Sequence, residues 1–422
     1  MRYRHFRGRE GWATTMARQQ GAANLLDMSL QEKFGTDVLL TGWGHTPFGR
    51  LEGESVESLV VTAATQALEA AGVEPGAVDE IYLGQFNSGM VPLGFPSSLA
   101  LQVSPDLANT PSTRVENACA SGSAAFQQGV KALLAGTART VLVVGAEKMT
   151  HATPDVVGAA LLGADYELAG TASSTGFAGI FAEVARHYEK QYGPVSDTLG
   201  LIAAKNHRNG VRNPWAQLRK DLGEEFCQTT SERNPVVAEP LRRTDCSPIS
   251  DGAAAVVLST SPTDGAATDP VRLKGFGHAN DFLPTTSRDP LELAGSVAAW
   301  ARALEMAGVG LDDLDLAEVH DCFTIAELVL YEVMGLTPRG EGRRALDEGW
   351  VVPGGRLPVN VSGGLKSKGH PVGATGVSQH VLAAMQLTGT AGDMQLDSPR
   401  IAAVHNMGGL AVANYVSVLA AV

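Results

Sequence analysis

One stretch of this chain occurs twice. Residues 67–83 read ALEAAGVEPGAVDEIYL and residues 303–319 read ALEMAGVGLDDLDLAEV, at a constant offset of 236. Ala67, Leu68, Glu69, Ala71, Gly72, Val73 and Asp79 return as Ala303, Leu304, Glu305, Ala307, Gly308, Val309 and Asp315. In each copy a helical apolar pattern stops at a glycine, as a helix C-terminus favours, and a short strand follows. The likeness continues further along. ACASGSAAFQQGVKALLAG (118–136) and GHPVGATGVSQHVLAAMQLTG (369–389) both read as tight turns entering small-residue helices. Each leads to a buried-strand run, TVLVVGAEK (140–148) and RIAAVHNMGG (400–409), and DGAAAVVLS (251–259) answers GLAVANYVSVL (409–419). Two helix-and-strand units in one chain imply a pseudo-twofold α/β architecture with sheets buried between helices.

Composition sets the outer bounds. Charged residues make up 18% and apolar ones 44%, so the chain can bury a large core and cannot be mostly disordered. A net charge of −13 disfavours a general nucleic-acid or anionic-membrane binder. No run of about 18 uninterrupted apolar residues marks a membrane span. The apolar C-terminus, broken by His405, Asn406, Gly408, Gly409 and Asn414, reads as strand, turn, strand. The 48 glycines have no collagen period and are assigned to tight turns and close backbone contacts. Four scattered cysteines, Cys119, Cys227, Cys246 and Cys322, do not make a disulfide scaffold and fit a reduced, cytoplasmic compartment. Met1 to Arg18 carries five arginines and one Glu, a composition compatible with a transit peptide. We read it instead as a disordered extension, or as sequence upstream of a start at Met16 or Met28. Residues ~150–245 lack strand-like runs and read as an inserted, loop-rich subdomain. Within it, 184–245 holds ten Lys/Arg against eight Asp/Glu, a locally basic segment on an acidic body. That suits an anionic ligand or simply a solvated helical surface.

Four segments carry candidate chemistry. Cys119 lies among Ala118, Ala120, Ser121, Gly122 and Ser123, just before a helix. The helix N-terminus is expected to ease thiolate formation, although an inert cysteine in a crowded turn fits the same residues. His370 is presented by a turn stiffened by Pro371 and thinned by Gly369, Gly373 and Gly376. In the duplication His370 corresponds to Cys119, so a twofold axis makes the two turns converge on one pocket. His320 and Cys322, two apart at the end of the second repeat's strand, point the same way. His320, Cys322 and His370 form a conceivable zinc set, but no paired ligand spacing supports a metal, and none is expected. The glycines of His405-Asn406-Met407-Gly408-Gly409 leave backbone N–H groups free for an oxyanion, or form an ordinary hairpin. No phosphate loop and no convincing G-x-G-x-x-G motif is present.

Taken together, ENACASGSAA, NHRNGVRNPWAQ (206–217), DCSPISDGAAAV (245–256), HDCF (320–323), GHPVGATG (369–376) and HNMGG (405–409) resemble the thiolase superfamily. The likeness is to its sterol-carrier-protein type and runs from about residue 37 to 422. It implies a duplicated βαβαβαββ fold in five layers, α-β-α-β-α. Residues 37–150 with 246–268 would form the N-terminal half, 151–245 a loop domain holding coenzyme A, and 269–422 the C-terminal half, after an extension at 1–36. By this resemblance Cys119 is the acylated nucleophile, His370 its activator and Cys322 the second acid/base. His320 stands where ordinary thiolases carry an Asn. Asn406 occupies the place of their C-terminal cysteine, leaving Gly408 a backbone role. One oxyanion site would use the Cys119 and Gly408 amides, the other His320 and His370. The implied activity is acyl transfer between acyl-CoA molecules, with coenzyme A as substrate and no bound cofactor. A homodimer or tetramer, and a small OB-fold acyl-CoA-binding partner protein, are the implied partners. A decarboxylating condensing enzyme and a non-catalytic acyl-CoA or lipid-binding subunit are the alternatives.

Overall fold

The computed structural model describes residues 30–422, so the reading of the arginine-rich stretch lies outside the described residues. The strands are β1 (Leu39–His45), β2 (Glu80–Gly84), β3 (Ser112–Val115), β4 (Thr140–Glu147), β5 (Val236–Ala238), β6 (Leu241–Arg242), β7 (Gly252–Ser259), β8 (Val271–Asn280), β9 (Leu316–Glu318), β10 (Ile401–Gly408) and β11 (Ala413–Ala421). The α-helices are α1 (Leu30–Phe34), α2 (Val56–Ala71), α3 (Ser121–Ala135), α4 (Pro154–Leu162), α5 (Gly176–Tyr192), α6 (Ser196–Gly210), α7 (Glu224–Gln228), α8 (Ala294–Ala307), α9 (Thr324–Val333), α10 (Arg343–Asp347), α11 (Gly364–Lys368) and α12 (Thr375–Leu387). Regular structure thus starts before Asp37. Leu30 of α1 is buried with Val38 and Leu40 and anchors this short helix on the core, while Gln31, Glu32 and Phe34 are exposed.

The two copies of the repeat have the same local structure. Gly72 ends α2 and Gly308 ends α8 in the left-handed region, at φ 61° and 64°. The shared aspartate explains itself. Asp79 Oδ2 accepts the N–H groups of Arg139 and Thr140, and Asp315 Oδ2 those of Arg400 and Ile401. Each carboxylate therefore clips the start of the next strand into register. A further repeat, not singled out above, is Gly42-Trp43-Gly44-His45 against Gly275-Phe276-Gly277-His278. A Cβ on Gly44 would sit 2.3 Å from the Ala63 carbonyl oxygen, and one on Gly277 2.0 Å from that of Ala299. The glycines let α2 and α8 lie directly on β1 and β8.

Sheet order repeats as well: β3-β2-β4-β7-β1 continues into β8-β11-β10-β9. The strand ladders of the two halves join at Leu39 with Arg272 and Leu40 with Val271. The counterpart of β3 is reduced to an isolated bridge between Ala317 and Val359. Strand alternation then builds the layers. Val141, Val143, Val256 and Leu258 face inward, and Leu142, Val144, Ala255 and Val257 face α2. In the second half Ala402 and Val404 face inward, and Ala403, Val416 and Val418 face α8. Phe126 and Val130 of α3 and Val377 and Val381 of α12 fill the middle. The result is five layers, α-β-α-β-α, as the resemblance implied, built on the pseudo-twofold plan that the duplication implied.

At the centre α3 and α12 touch backbone to backbone. A Cβ on Gly122 would lie 2.7 Å from the Gly373 carbonyl oxygen, and one on Gly376 2.3 Å from the Ser123 nitrogen. The paired helix starts are therefore brought together by two missing side chains. The segment between β4 and β7 holds α4 to α7 and, contrary to the strandless reading, the short β5–β6 ribbon. Five residues turned at Pro240 are too few to give a periodic signal. Gly376→Ala should overpack this contact, costing about 1–3 kcal/mol. A lower chemical-denaturation midpoint than wild type is the expected result.

Candidate active site

The crossing of α3 and α12 sets the site. Cys119 lies in the turn before α3, entered through Ala118 in the left-handed region at φ 49°. Such a backbone costs a non-glycine residue about 1–3 kcal/mol and persists where its surroundings over-determine it. Ser121 Oγ does so by accepting the Asn117 N–H and donating to the Ala118 carbonyl. The dipole argument for a ready thiolate fails. Burial pushes the Cys119 thiol up to about 12, even though its own N–H and that of Gly409 approach the sulfur. A buried thiol loses more from lost hydration than it gains from a helix end. The amide beside the sulfur is that of Gly409, whereas Gly408 was the expected donor. Gly408 still pairs with Ala413 in the β-ladder, and the chain turns only at Gly409, φ 60°.

Two histidines face this sulfur. Sγ of Cys119 and ring nitrogens of His320 and His370 all lie within 4.8 Å of one another. The rings meet edge to face with centroids 5.2 Å apart. Burial, then the Lys368 charge, lowers His370 to about 3; burial, then His370, His405 and Lys368, lowers His320 well below its ordinary value. Both are neutral at physiological pH, so each ring has one donor and one acceptor nitrogen. Thr375 Oγ1 donates to the Pro371 carbonyl and so accepts from Nδ1–H of His370, at 2.6 Å. That leaves His370 Nε2, which has no partner, as a proton acceptor in the cavity. Asn406 Nδ2 donates to the Cys119 carbonyl, which fixes the amide, and also reaches His320 Nδ1 at 2.9 Å. His320 Nδ1 therefore accepts, and its unpartnered Nε2 carries the proton. The two imidazoles present opposite faces, a base and a donor.

Cys322 is buried beside them. Burial raises its thiol well above the ordinary value, and charge on Cys119 or Asp321 raises it further. The strand stops at Glu318, so His320 and Cys322 sit in a loop and not on a strand end as expected. Asp321 holds that loop. Its carboxylate accepts from the N–H groups of Leu365 and Lys366 and from Asn206 Nδ2, joining the His320 segment to α11 just ahead of His370. Glu147 does the same for the opposite wall, accepting from Phe86, Asn87 and Gly373 N–H groups. Ser250 Oγ accepts the His370 N–H. Asp321, Glu147, Thr375 and Ser250 were not singled out from the sequence, although each lay inside a segment already quoted. Gly409 belonged to the glycine pair read as an oxyanion turn, of which Gly408 was chosen as the donor.

The sulfur and two nitrogens are also a conceivable metal grip, with Cys119 in place of the Cys322 considered from spacing. Asn406 opposes it, because it leaves a proton on His320 where a metal needs a lone pair. Two cavities open beside the Gly409 turn, and neither is lined by Cys119, His320, Cys322 or His370. One of about 600 Å³ is lined by Leu168, Gly176, Ile180, Ala238 and Arg288 and ends at Leu410, one residue after Gly409. The other, about 560 Å³, is lined by Asn117, Ala118, Gly408, Gly409, Arg114 and Tyr166. No helix among the described residues is long and apolar enough to cross a membrane.

The tautomer argument is testable. Asn406→Asp gives His320 an acceptor instead of a donor, so Nε2 loses the proton it presents to the cavity. Loss of one preorganised donor lowers kcat roughly 100–1,000-fold. An unchanged kcat in steady-state turnover would refute the assignment.

Comparisons with known proteins agree with this geometry. Residues 38–261 match the N-terminal domain of thiolases and residues 277–421 a thiolase C-terminal domain-like family. An acetyl-CoA acetyltransferase of Methanothermobacter thermautotrophicus is 37% identical over 88% of this chain and 96% of its own length. Sterol carrier protein 2 of Oryctolagus cuniculus is 30% identical over 88% of this chain and 70% of its own length. Among solved structures, the Ltp2-ChsH2(DUF35) aldolase has the same fold, with a TM-score of 0.73 at 22% identity, covering 91% of this chain and 98% of that one. Both halves of the duplication fall within matched domains, and the chain belongs to the thiolase family.

Proposed function

We propose that the protein is an acyl-CoA acyltransferase of thiolase type, working through an acyl group on Cys119. The observation that carries this reading is the convergence of one thiol with two neutral imidazoles of opposite tautomer. Cys119 attacks the keto carbon of a 3-oxoacyl-CoA while its proton passes to His370 Nε2. The amides of Cys119 and Gly409 hold the oxyanion that forms there. Carbon–carbon cleavage leaves acyl-Cys119 and the enolate of the released acyl-CoA, whose oxygen is held by His320 Nε2–H. Cys322 gives the enolate carbon its proton. The Cys322 thiolate then takes the thiol proton of coenzyme A, whose sulfur attacks the acyl group and expels Cys119. Protonated His370 returns the proton to Cys119. Reversed, the same steps condense two acyl-CoA molecules.

The cavity of about 600 Å³ that includes Leu410 is our choice for the pantetheine arm, since it lies along the inserted segment and its wall takes in the residue next to Gly409. Its wall is of mixed charge, so the basic character of 184–245 does not enter this choice. β3 is an edge strand beside the second cavity, near exposed Tyr166 and Phe282, which supports a homodimer closed over that face. Four free cysteines suit a reducing, cytoplasmic setting. A small OB-fold partner remains the reading for a second subunit, supported by the aldolase neighbour that is named with a DUF35 protein.

The decarboxylating alternative uses the same Cys119, His320 and His370 but has no need of a proton donor. Buried Cys322 favours the thiolase reading. Cys119→Ala should abolish thiolysis of acetoacetyl-CoA, and normal turnover would refute the mechanism. Cys322→Ala should slow thiolysis about 100–10,000-fold while Cys119 still takes up an acyl group from acetyl-CoA, read as a mass shift on its peptide. A chain that never acylates would be the non-catalytic subunit instead. Faster turnover of malonyl- than acetyl-thioester would identify the decarboxylating enzyme.

A further inference from the structure

A third cavity, of about 400 Å³, opens between α6, the 217–222 loop, α7 and α11. Its lining contains Arg219, Lys220, Arg233, Arg243, Lys366 and His207, and no carboxylate, in a chain whose net charge is −13. Two of these groups are deeply buried, His207 at 3% exposure and Lys366 at 2%. Neither ring nitrogen of His207 completes a hydrogen bond, although the Lys220 carbonyl is near. The Lys366 ammonium makes no ion pair among the described residues. Asp245 and Asp321 act on it only through space. Asp245 is already committed to Arg242 and Thr324, and Asp321 to the amides of α11. Arg219 and Arg243 each spend one N–H on a backbone carbonyl, of Val211 and Arg233, and keep the rest of their guanidinium forks free.

A buried ammonium without an ion-pair partner is unfavourable, and around Lys366 the exposed Arg219, Lys220, Arg233 and Arg243 gather at one opening. Guanidinium forks and ammonium groups arriving from several sides match a tetrahedral dianion better than a planar carboxylate. The volume is within the range of about 300–1,000 Å³ found for small-molecule sites, and Leu222 and Phe226 supply an apolar wall. We propose that this cavity binds a phosphate monoester carried on an organic group. The source is either the 3′-phosphoadenosine end of a coenzyme A or a separate phosphorylated metabolite. Direct binding tests the site independently of whether the thiolase mechanism holds.

Isothermal titration of the full-length protein with inorganic phosphate and with adenosine 3′,5′-bisphosphate is the experiment. Saturable binding is expected, weakened about 10-fold or more in Arg243→Glu and in Lys366→Met. Arg243 is exposed, so its variant reads the site even if the Lys366 variant does not fold. Absence of saturable binding for both probes, or affinities unchanged in Arg243→Glu, overturns the proposal. Given binding, the KM values for coenzyme A and 3′-dephospho-coenzyme A assign the source. If the phosphate is that of coenzyme A, Arg243→Glu narrows the preference for coenzyme A over its dephospho form. If that preference is unchanged while the bisphosphate is lost, the ligand is a separate metabolite.

Discussion

The backbone contact between Gly122 and Gly376 is the constraint on which the rest of the structure depends. Two helices begin there, one preceded by the Cys119 turn and the other by the His370 turn. Each half of the duplication carries its turn at the same place, so closing the central layer brings both turns to one point. Side chains at either glycine would hold the helices apart. The nucleophile and its base therefore meet because two sheets share one middle layer of helices.

Once assembled, the site is governed by burial. Taking Cys119, His320 and His370 out of water favours the uncharged form of each, so the resting pair of thiol and imidazole is neutral. What distinguishes the two rings is then the proton's position. Thr375 turns a lone pair of His370 into the cavity, and Asn406 turns a proton of His320 there. Similar side chains acquire opposite work from one hydroxyl and one amide. Asp321 and Glu147 hold the two walls by accepting backbone N–H groups, contacts that keep the loops fixed without entering the chemistry themselves.

Much of this was legible in the order of residues. The offset repeat gave the two halves, and its Asp79 and Asp315 proved to be equivalent strand clips. The unbroken apolar runs in TVLVVGAEK and RIAAVHNMGG placed strands with two buried faces. The ends of elements were less legible: the strand before His320 stops early, and the oxyanion amide shifts from Gly408 to Gly409. Both depend on where a neighbouring strand stops pairing, which local pattern does not record. The thiol's protonation was misjudged because the helix end is visible in sequence whereas the depth of burial is not.

By itself the sequence determined that the chain is a doubled α/β unit and which thiols and imidazoles were available for chemistry. Hydrophobic period and glycine placement act locally, so they can be read along the chain. Tertiary structure alone decided which nitrogen of each histidine holds a proton, that Cys119 rests as a thiol, and that cations from the 217–222 loop, from Arg233 and Arg243 and from α11 surround a common cavity. Those properties come from groups far apart in the chain and from the water they exclude, and they exist only after the halves have closed.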